Sequence, residues 1–587
     1  MTKKKVKTPK PFGTFDIETK NWKDFLLLGY FDGTNYTEHE SVEDFIKHCF
    51  SSNNTTTIIY AHFGGIFDFL FIIDFLFSQN SPNYKIVSFI NQGRKILKFD
   101  LLEYKTGERI TFIDSSGLFP FGLDTLTKSF DVVHKKLDVD VTLFKKVTKK
   151  LKKYLMYDCK GLHESLEKFA NTKYIKDVGL QLTRSGTSFK VYKQLFAKKE
   201  FLPELPNQVK DFGRESYYGG RTEIFKPLYI NKKTPLKVYD INSLYPSSME
   251  ENKFPSDFYS WTTEYNNDFF GIYHCRIFCP KDLKIPLLPV KLDGKLIFPT
   301  GVFDGHFTSA ELEKAFTLGY KIEKIYRGAL FYDGGYIFKD FINHFYNERK
   351  STDDPVQKII YKDIMNHLYG RLGINQVREC VSFEKTENST IHSIMEFDDY
   401  EVRLYKEEKF LHTYSNPVLA SFVTSYARIK LYEYMEKVNF DVYYCDTDSL
   451  FTPRKMESSK ELGKMKLEYK LKEACFLLPK TYMGQKLDNH FIRKMKGFQN
   501  KNIGHITFDD FIESLSGEIR MPPVKTSGGL AGFKVAMKKG EILHVLPDGE
   551  KQLRHKYDKR IIKKVGKNYT TIPIHVEYES NLGETNA

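Results

Sequence analysis

Asp441-Val442-Tyr443-Tyr444-Cys445-Asp446-Thr447-Asp448-Ser449-Leu450-Phe451 places two carboxylates two residues apart inside a run of aromatic and β-branched residues. Such a run predicts extended chain. Alternation then puts residues i and i+2 on one face, so Asp446 and Asp448 are expected to project together. Two adjacent anions at a tight turn repel each other unless a cation neutralises them, and hard carboxylate oxygens suit magnesium. The competing reading of this stretch alone is a solvated hairpin tip.

Two further segments bear on that choice. Lys237-Val238-Tyr239-Asp240 reads as a strand ending in an acid and continues Ile241-Asn242-Ser243-Leu244-Tyr245-Pro246-Ser247. From Pro355 to Gly370 the pattern predicts a helix, with Asp353 or Asp354 as N-cap, proline in the first turn and glycine at the end. Lys358, Lys362 and Asn366 recur every four residues on it, and Tyr369 follows three later, so the four share one stripe. Two cations, an amide and a tyrosine make a poor core face and a good surface for a triphosphate and a base.

Taken in chain order, these segments resemble motifs A (DxxSLYP), B (KxxxNxxYG) and C (YxDTDS) of the family-B DNA polymerases. Upstream, Phe15-Asp16-Ile17-Glu18-Thr19, His62-Phe63-Gly64-Gly65-Ile66-Phe67-Asp68 and Tyr154-Leu155-Met156-Tyr157-Asp158 resemble, in the same order as in that family, its ExoI, ExoII and ExoIII motifs. Four acids holding two metals, with a tyrosine orienting water, suit phosphodiester hydrolysis. One residue departs from the pattern: Phe63 stands where the family usually has Asn. A phenylalanine there can stack on a base instead.

Within the family the resemblance is to the protein-primed branch of phages and linear plasmids. Ser216-Tyr217-Tyr218-Gly219-Gly220-Arg221 resembles the YxGG segment between the two activities, with Tyr217 23 residues before Asp240. Lys480-Thr481-Tyr482 resembles the KxY motif, and Lys136-Leu137-Asp138-Val139 the branch's exonuclease lysine motif. Lys350 precedes Lys362 by twelve residues, as the branch's additional nucleotide-binding lysine does. Thr125-Leu126 begins like the strand-binding (S/T)Lx2h motif, although Ser129 takes its hydrophobic position. His367 replaces the usual Ser beside Asn366, a change expected to affect nucleotide recognition. About 115 residues separate Asp240 from Pro355, and 80 separate Asn366 from Asp446. These intervals have room for the branch's two insertions at 254–336 and about 375–412. The second has alternating polar and apolar residues around an acidic turn, which predicts a β-hairpin.

The resemblance implies an α+β multidomain chain with an RNase H-like 3′–5′ exonuclease domain and a right-hand polymerase carrying two inserted subdomains. The expected spans are 1–185 for the exonuclease, 186–252 and 413–505 for the palm, and 338–374 for the fingers. The insertions take 253–337 and 375–412, and 506–587 holds the thumb and C-terminal region. For polymerisation it implies Asp240, Asp446 and Asp448, with metal held by Asp240, Asp448 and the backbone of Ile241. For the exonuclease it implies Asp16, Glu18, Asp68, Tyr154, Asp158 and Lys136, with the four acids as metal ligands. Nucleotide contacts fall to Tyr245, Lys350, Lys362, Asn366 and Tyr369. Tyr245 is expected under the sugar, excluding a 2′-hydroxyl. DNA contacts fall to Thr19, Phe67, Thr125, Leu126, Tyr217, Gly219, Gly220, Lys358, Lys480 and Tyr482. The implied cofactor is Mg2+, two ions per site, with Mn2+ as an alternative. The implied partners are template and primer DNA, dNTPs and a terminal protein primer, the enzyme being a monomer or a heterodimer with that protein. Two alternatives stay open: a primer-independent or nucleic-acid-primed relative, and a DNA-binding replication factor that retains the fold without catalysis.

Composition fits. A chain of 587 residues with 41% hydrophobic residues can bury several cores, and a formal charge of +14 suits a polyanionic partner. The basic run 145–153 is one candidate for local excess charge, against a solvated helix face as the plainer reading. Seven irregularly spaced cysteines suggest a reducing compartment, and His274, Cys275 and Cys279 lack a second pair at zinc-finger spacing. No signal peptide or membrane span is expected: the apolar run Phe67–Phe77 is short and contains Asp68 and Asp74. An intracellular location is expected, in host cytoplasm, nucleoid or mitochondrion. The basic residues 1–11 make a poor transit helix.

Overall fold

The computed structural model describes residues 11–54, 56–78, 83–140, 144–197, 204–230, 233–374, 378–382, 390–397, 400–407, 415–516, 519–566 and 568–577. Its N-terminal part is a seven-stranded sheet made of β1 (Gly13–Lys20), β2 (Asp24–Phe31), β3 (Tyr36–His39), β4 (Ile58–Ala61), β5 (Tyr84–Gln92), β6 (Lys95–Glu103) and β7 (Arg109–Asp114). The order is β3-β2-β1-β4-β7-β6-β5. β1, β4 and β7 run parallel at its centre, and antiparallel pairs flank them. Alternation along β1 sends Phe15 and Ile17 into the core and leaves Asp16 and Glu18 on the other face. The helix Lys149–Ala170 packs against β1 and β2, buries Leu151, Leu155 and Leu162, and brings Tyr154 and Asp158 to the acidic face.

The second sheet is built on Leu236–Ile241. That strand lies between Ser449–Thr452 and the long strand Met465–Leu478, and both pairings are antiparallel. Its outer strands are Thr481–Lys486 and Phe491–Lys494 on one side, and Tyr444–Asp446 and the three-residue edge strand Thr222–Ile224 on the other. The Pro355–Leu372 helix packs on the helices Arg184–Leu195, Lys339–Ser351 and Pro417–Lys437. Asp354 caps it, accepting from the backbone N–H groups of Val356 and Gln357. The helix runs two residues past Gly370 and stops at Gly373, because Ile364, Leu368 and Leu372 continue its buried face.

The interval after Asp240 holds a five-stranded sheet with a short helix, Ser309–Phe316. Its last strand is not local. His575–Val576 comes from the C-terminal end of the chain and pairs in parallel with Thr300–Thr308. The later interval folds as Arg378–Ser382, Thr390–Phe397 and Tyr400–Glu407, the expected hairpin with a third strand added. Its acidic turn, 398–399, lies outside the described residues. The C-terminal region divides in two. The helix Phe533–Lys539 adds Phe533 and Met537 to the core of the first sheet, with the Phe533 ring tilted against Phe89 at 5.2 Å, whereas 557–571 returns to the second sheet. Cys49, Cys159, Cys275, Cys279, Cys445 and Cys475 are buried and form no disulfide, and no described helix is long and apolar enough to cross a membrane.

Candidate active sites

Asp240 lies one residue from the end of its strand, opposite Ser449 and Lys466. The Ile241 N–H donates to the Asp448 carbonyl at 2.8 Å, which sets Asp448 beside Asp240 across the hairpin turn. Burial, then the neighbouring Asp448 and Glu468, raise the Asp240 carboxyl to about 7. Burial also raises Asp448, and the positive charge of Lys362 opposes the rise in both acids. Of the helix stripe, Lys362 therefore lies near enough for its charge to act on both acids.

Asp446 and Asp448 do not share a strand face. The strands stop at Asp446 and Ser449, leaving Thr447 and Asp448 as a two-residue turn with Thr447 in the left-handed region (φ 63). The Asp446 carboxylate accepts from Thr222 Oγ1 at 3.0 Å, lies 3.2 Å from Lys480 Nζ, and its charge helps to raise Asp448. Asp240 and Asp448 make the close pair, with Asp446 beside it.

The YxGG segment supports this turn from below. The Thr447 N–H donates to the Arg221 carbonyl at 2.7 Å, and a Cβ on Gly220 would stand 2.7 Å from Thr447 Cγ2. Tyr217 packs on Gly373, where a Cβ would come within 2.5 Å of its ring, so the segment also braces the end of the helix. Tyr245 follows the acidic strand on the helix Leu244–Glu251 and stacks on Tyr369, with centroids 4.1 Å apart and planes at 28°. Asn366 Oδ1 is buried with no hydrogen-bond partner among the described residues. His367 turns to another face. Its Nδ1–H donates to the Asp363 carbonyl at 2.8 Å, and the ring lines a basic groove with Arg94, Lys95 and Arg184.

Three of the expected contact residues make no described interaction with either acidic group. Lys350 is exposed at the end of the helix Lys339–Ser351, and no described interaction joins it to Asp240 or Asp448. Lys358 is also exposed and lies 3.9 Å from Asp353. Leu126 is wholly buried in the helix Leu123–Ser129 and presents no surface to a strand, because it fills the ridge that packs this helix; Thr125 beside it is exposed. Tyr482 belongs to an aromatic cluster with Tyr444, Phe451 and Phe476, close behind the hairpin. Glu468 and Thr222 were not singled out from sequence. Glu468 sits where the register slips by a residue opposite Val238 and Tyr239, and strict alternation cannot anticipate a bulge.

The second acidic group lies in a cleft of about 700 Å³ lined by Thr19, Phe63, Phe67, Lys136 and Tyr154 among others. Ligand oxygens of Asp16, Glu18 and Asp158 come within 4.8 Å of one another. Burial, then Asp158, raise Asp16 to about 7; burial, then Asp16 and Asp158, raise Glu18 to about 9. Asp68 opens a helix and accepts from the Ile17 N–H at 2.9 Å, and burial holds its carboxyl well above the usual range. The Lys136 ammonium donates to Tyr154 Oη and to Asp158 Oδ2, while Asp158 Oδ1 is buried and unpartnered. Crowded, proton-retaining hard oxygens with an unused lone-pair site are the donor set that Mg2+ fits. Phe63 adopts φ 61 and lies under the Lys95 ammonium at 4.6 Å, and His62 is fixed by Ser115 Oγ and the Phe121 carbonyl. Of the basic run, Lys145 lines the cleft and Lys152 pairs with Glu38 on the solvated helix face.

A family model described as DNA polymerase type B, organellar and viral, matches residues 141–458. A probable DNA polymerase of Ascobolus immersus is 28% identical over 575 residues, and one of Neurospora intermedia 27% over 527. These alignments take in 82% and 76% of this chain but 46% and 53% of those proteins, so the chain spans about half their length. A DNA-directed DNA polymerase of Enterobacteria phage PRD1 is 25% identical, over 89% of this chain and 92% of its own. The structure of phi29 DNA polymerase with primer-template DNA and incoming nucleotides superposes with a TM-score of 0.72 over 93% of this chain and 100% of that one. At 20% identity it speaks for the fold: exonuclease, palm, fingers and thumb.

Proposed function

The chain belongs to the organellar and viral type B DNA polymerases, and from that premise we propose that it copies DNA from a primer terminus and proofreads with a 3′–5′ exonuclease. The observation that carries this reading is the pairing of Asp240 with Asp448 under a helix that presents Lys362 to both. Asp240, Asp448 and the backbone of Ile241 would hold Mg2+, which when bound supplies activation of the primer hydroxyl and charge neutralisation at the leaving pyrophosphate. Lys362 draws the triphosphate to the acids, and Asn366 turns its free amide oxygen toward the nascent pair. The stacked Tyr245 and Tyr369 form the floor under the sugar and leave no room for a 2′-hydroxyl. Lys480 holds Asp446 and steadies the primer end.

In the cleft, Asp16, Glu18, Asp68 and Asp158 would hold the metals for hydrolysis. Lys136 fixes the Tyr154 hydroxyl, which orients the attacking water. Phe63 gives the frayed strand a stacking surface, with Thr19 and Phe67 alongside.

Initiation on the hydroxyl of a terminal protein, with strand displacement along a linear viral or plasmid genome, is the finer reading. It rests on the two insertions and on kinship with phage and fungal polymerases. Incubating the purified chain with proteins encoded beside its gene and labelled dNTP tests it: a labelled protein adduct is expected. Efficient initiation with no partner protein would favour the primer-independent reading, and no extension of an ordinary primed template would overturn the polymerase reading.

A further inference from the structure

The edge strand Thr222–Ile224 is three residues long, yet it carries the hydroxyl that fixes Asp446. A strand this short, paired on one side only, is weakly held by its own ladder. Residues more than 330 positions later cover its free side. Tyr557 Oη accepts from the Ile224 N–H at 3.1 Å, Lys559 Nζ donates to the Thr222 carbonyl at 3.2 Å, and Thr571 Oγ1 donates to the Ile224 carbonyl at 2.8 Å. Below them, Arg221 pairs with the fully buried Glu223 at 2.6 and 2.8 Å. Arg560, 3% exposed, donates to Thr571 Oγ1 and to the Lys284 carbonyl and stands 4.0 Å from the other Glu223 oxygen. Asp558 also ties this segment to Lys295 of the first insertion.

We infer that 557–571 is a clasp that positions the polymerase hairpin from behind, with Lys559 acting through Thr222 on the Asp446 carboxylate. The link is short. Lys559 holds the carbonyl of the residue whose hydroxyl bonds Asp446, and the neighbouring Arg221 carbonyl holds the Thr447 N–H in the turn that presents Asp448. Burying two arginines against one glutamate costs desolvation that packing alone does not require. What the arrangement supplies is a fixed strand edge. Lys559 is thus a positioning residue that need not touch substrate.

The inference rests on the polymerase reading, and its test separates the two. In the full chain, Lys559→Met, Thr222→Val and the double variant are compared with wild type, with Lys559→Arg as the conservative control. Three measurements are made: single-turnover nucleotide incorporation with its dNTP KM, 3′–5′ exonuclease rate, and amide hydrogen exchange at 222–224 and 444–449. A carboxylate released by a fraction of an ångström to an ångström loses about 10- to 100-fold in rate. Each single variant should therefore lose about that much incorporation with KM and exonuclease rate unchanged. The double variant should be no worse than Thr222→Val alone, exchange should rise at both segments in Lys559→Met, and Lys559→Arg should recover most of the rate. Wild-type incorporation by Lys559→Met, losses that multiply in the double variant, an equal loss of exonuclease, or unchanged exchange would each overturn the clasp. A wild-type chain that incorporates nothing refutes the polymerase reading instead, and the exchange data then decide the clasp by themselves.

Discussion

Replacing Gly220 with alanine should disable polymerisation through a single methyl group. A Cβ on Gly220 would stand 2.7 Å from Cγ2, 2.9 Å from Oγ1 and 3.1 Å from Cβ of Thr447, where ordinary contact begins at 3.4 Å. Thr447 must therefore retreat by about 0.7 Å, and close packing leaves little slack to absorb it. Rotating its side chain cannot relieve the clash, because Thr447 Cβ is itself too close. The displacement passes to a turn held by the Thr447–Arg221 hydrogen bond, with Asp446 and Asp448 on either side. Misplacement on this scale costs about 100-fold in rate, or roughly 2.7 kcal/mol of barrier. Single-turnover primer extension measures it, and exonuclease activity in the same preparation reports that the chain is folded. Thr447→Gly in the Gly220→Ala background removes the clashing atoms and suits φ 63, so it should restore much of the rate. A Cβ on Gly219 meets nothing within 4 Å, so Gly219→Ala should leave the turnover rate intact, any effect falling on KM for DNA. Wild-type extension by Gly220→Ala, or failure of Thr447→Gly to rescue a folded double variant, would refute the steric argument.

Tyr245→Val should raise ribonucleotide over deoxynucleotide incorporation by at least about tenfold, read as a ratio of kcat/KM, because it removes the ring stacked on Tyr369; a fall in Tm with an unchanged ratio would make Tyr245 a core residue only. Asp16→Asn with Asp158→Asn should reduce degradation of single-stranded DNA by several orders of magnitude and leave extension within about twofold, as expected when each acidic group holds its own metals. Asp16 and Glu18 are raised to about 7 and 9, so the fold retains protons there that the unfolded chain would release. Their contribution to stability is full below the ordinary carboxylate range and is lost as pH rises through about 7 to 9. In chelator, Asp16→Asn should therefore raise Tm at pH 8 by about 2–4 °C, with the gain shrinking below pH 6 and disappearing when Mg2+ is added. A scan of Tm against pH with and without the ion checks both signs.

Much of the chemistry could be read from the chain because it is written locally. Alternation in Phe15-Asp16-Ile17-Glu18 places both acids opposite a buried face, and the four-residue recurrence of Lys358, Lys362 and Asn366 makes one stripe. The same local rule fails at Asp446-Thr447-Asp448, where the ladder stops one residue early and a turn separates the two acids. Which acid faces Asp240 then depends on cross-strand pairing to Ile241 and Thr222, set by the burial of whole strands rather than by neighbours in sequence. Lys362 and Lys350 look equivalent as isolated cations, but only helix packing brings Lys362 to the acids and leaves Lys350 at a solvated helix end. Glu468 enters through a bulge that no periodicity encodes. The return of 557–571 to a strand edge more than 330 residues earlier leaves no local signature, because a short edge strand carries no mark of what will cover it. The sequence by itself determined the acids and cations of the candidate sites, their order and the elements that carry them. The tertiary structure decided which of them meet, since long-range register follows from how buried faces fit together across the sheets.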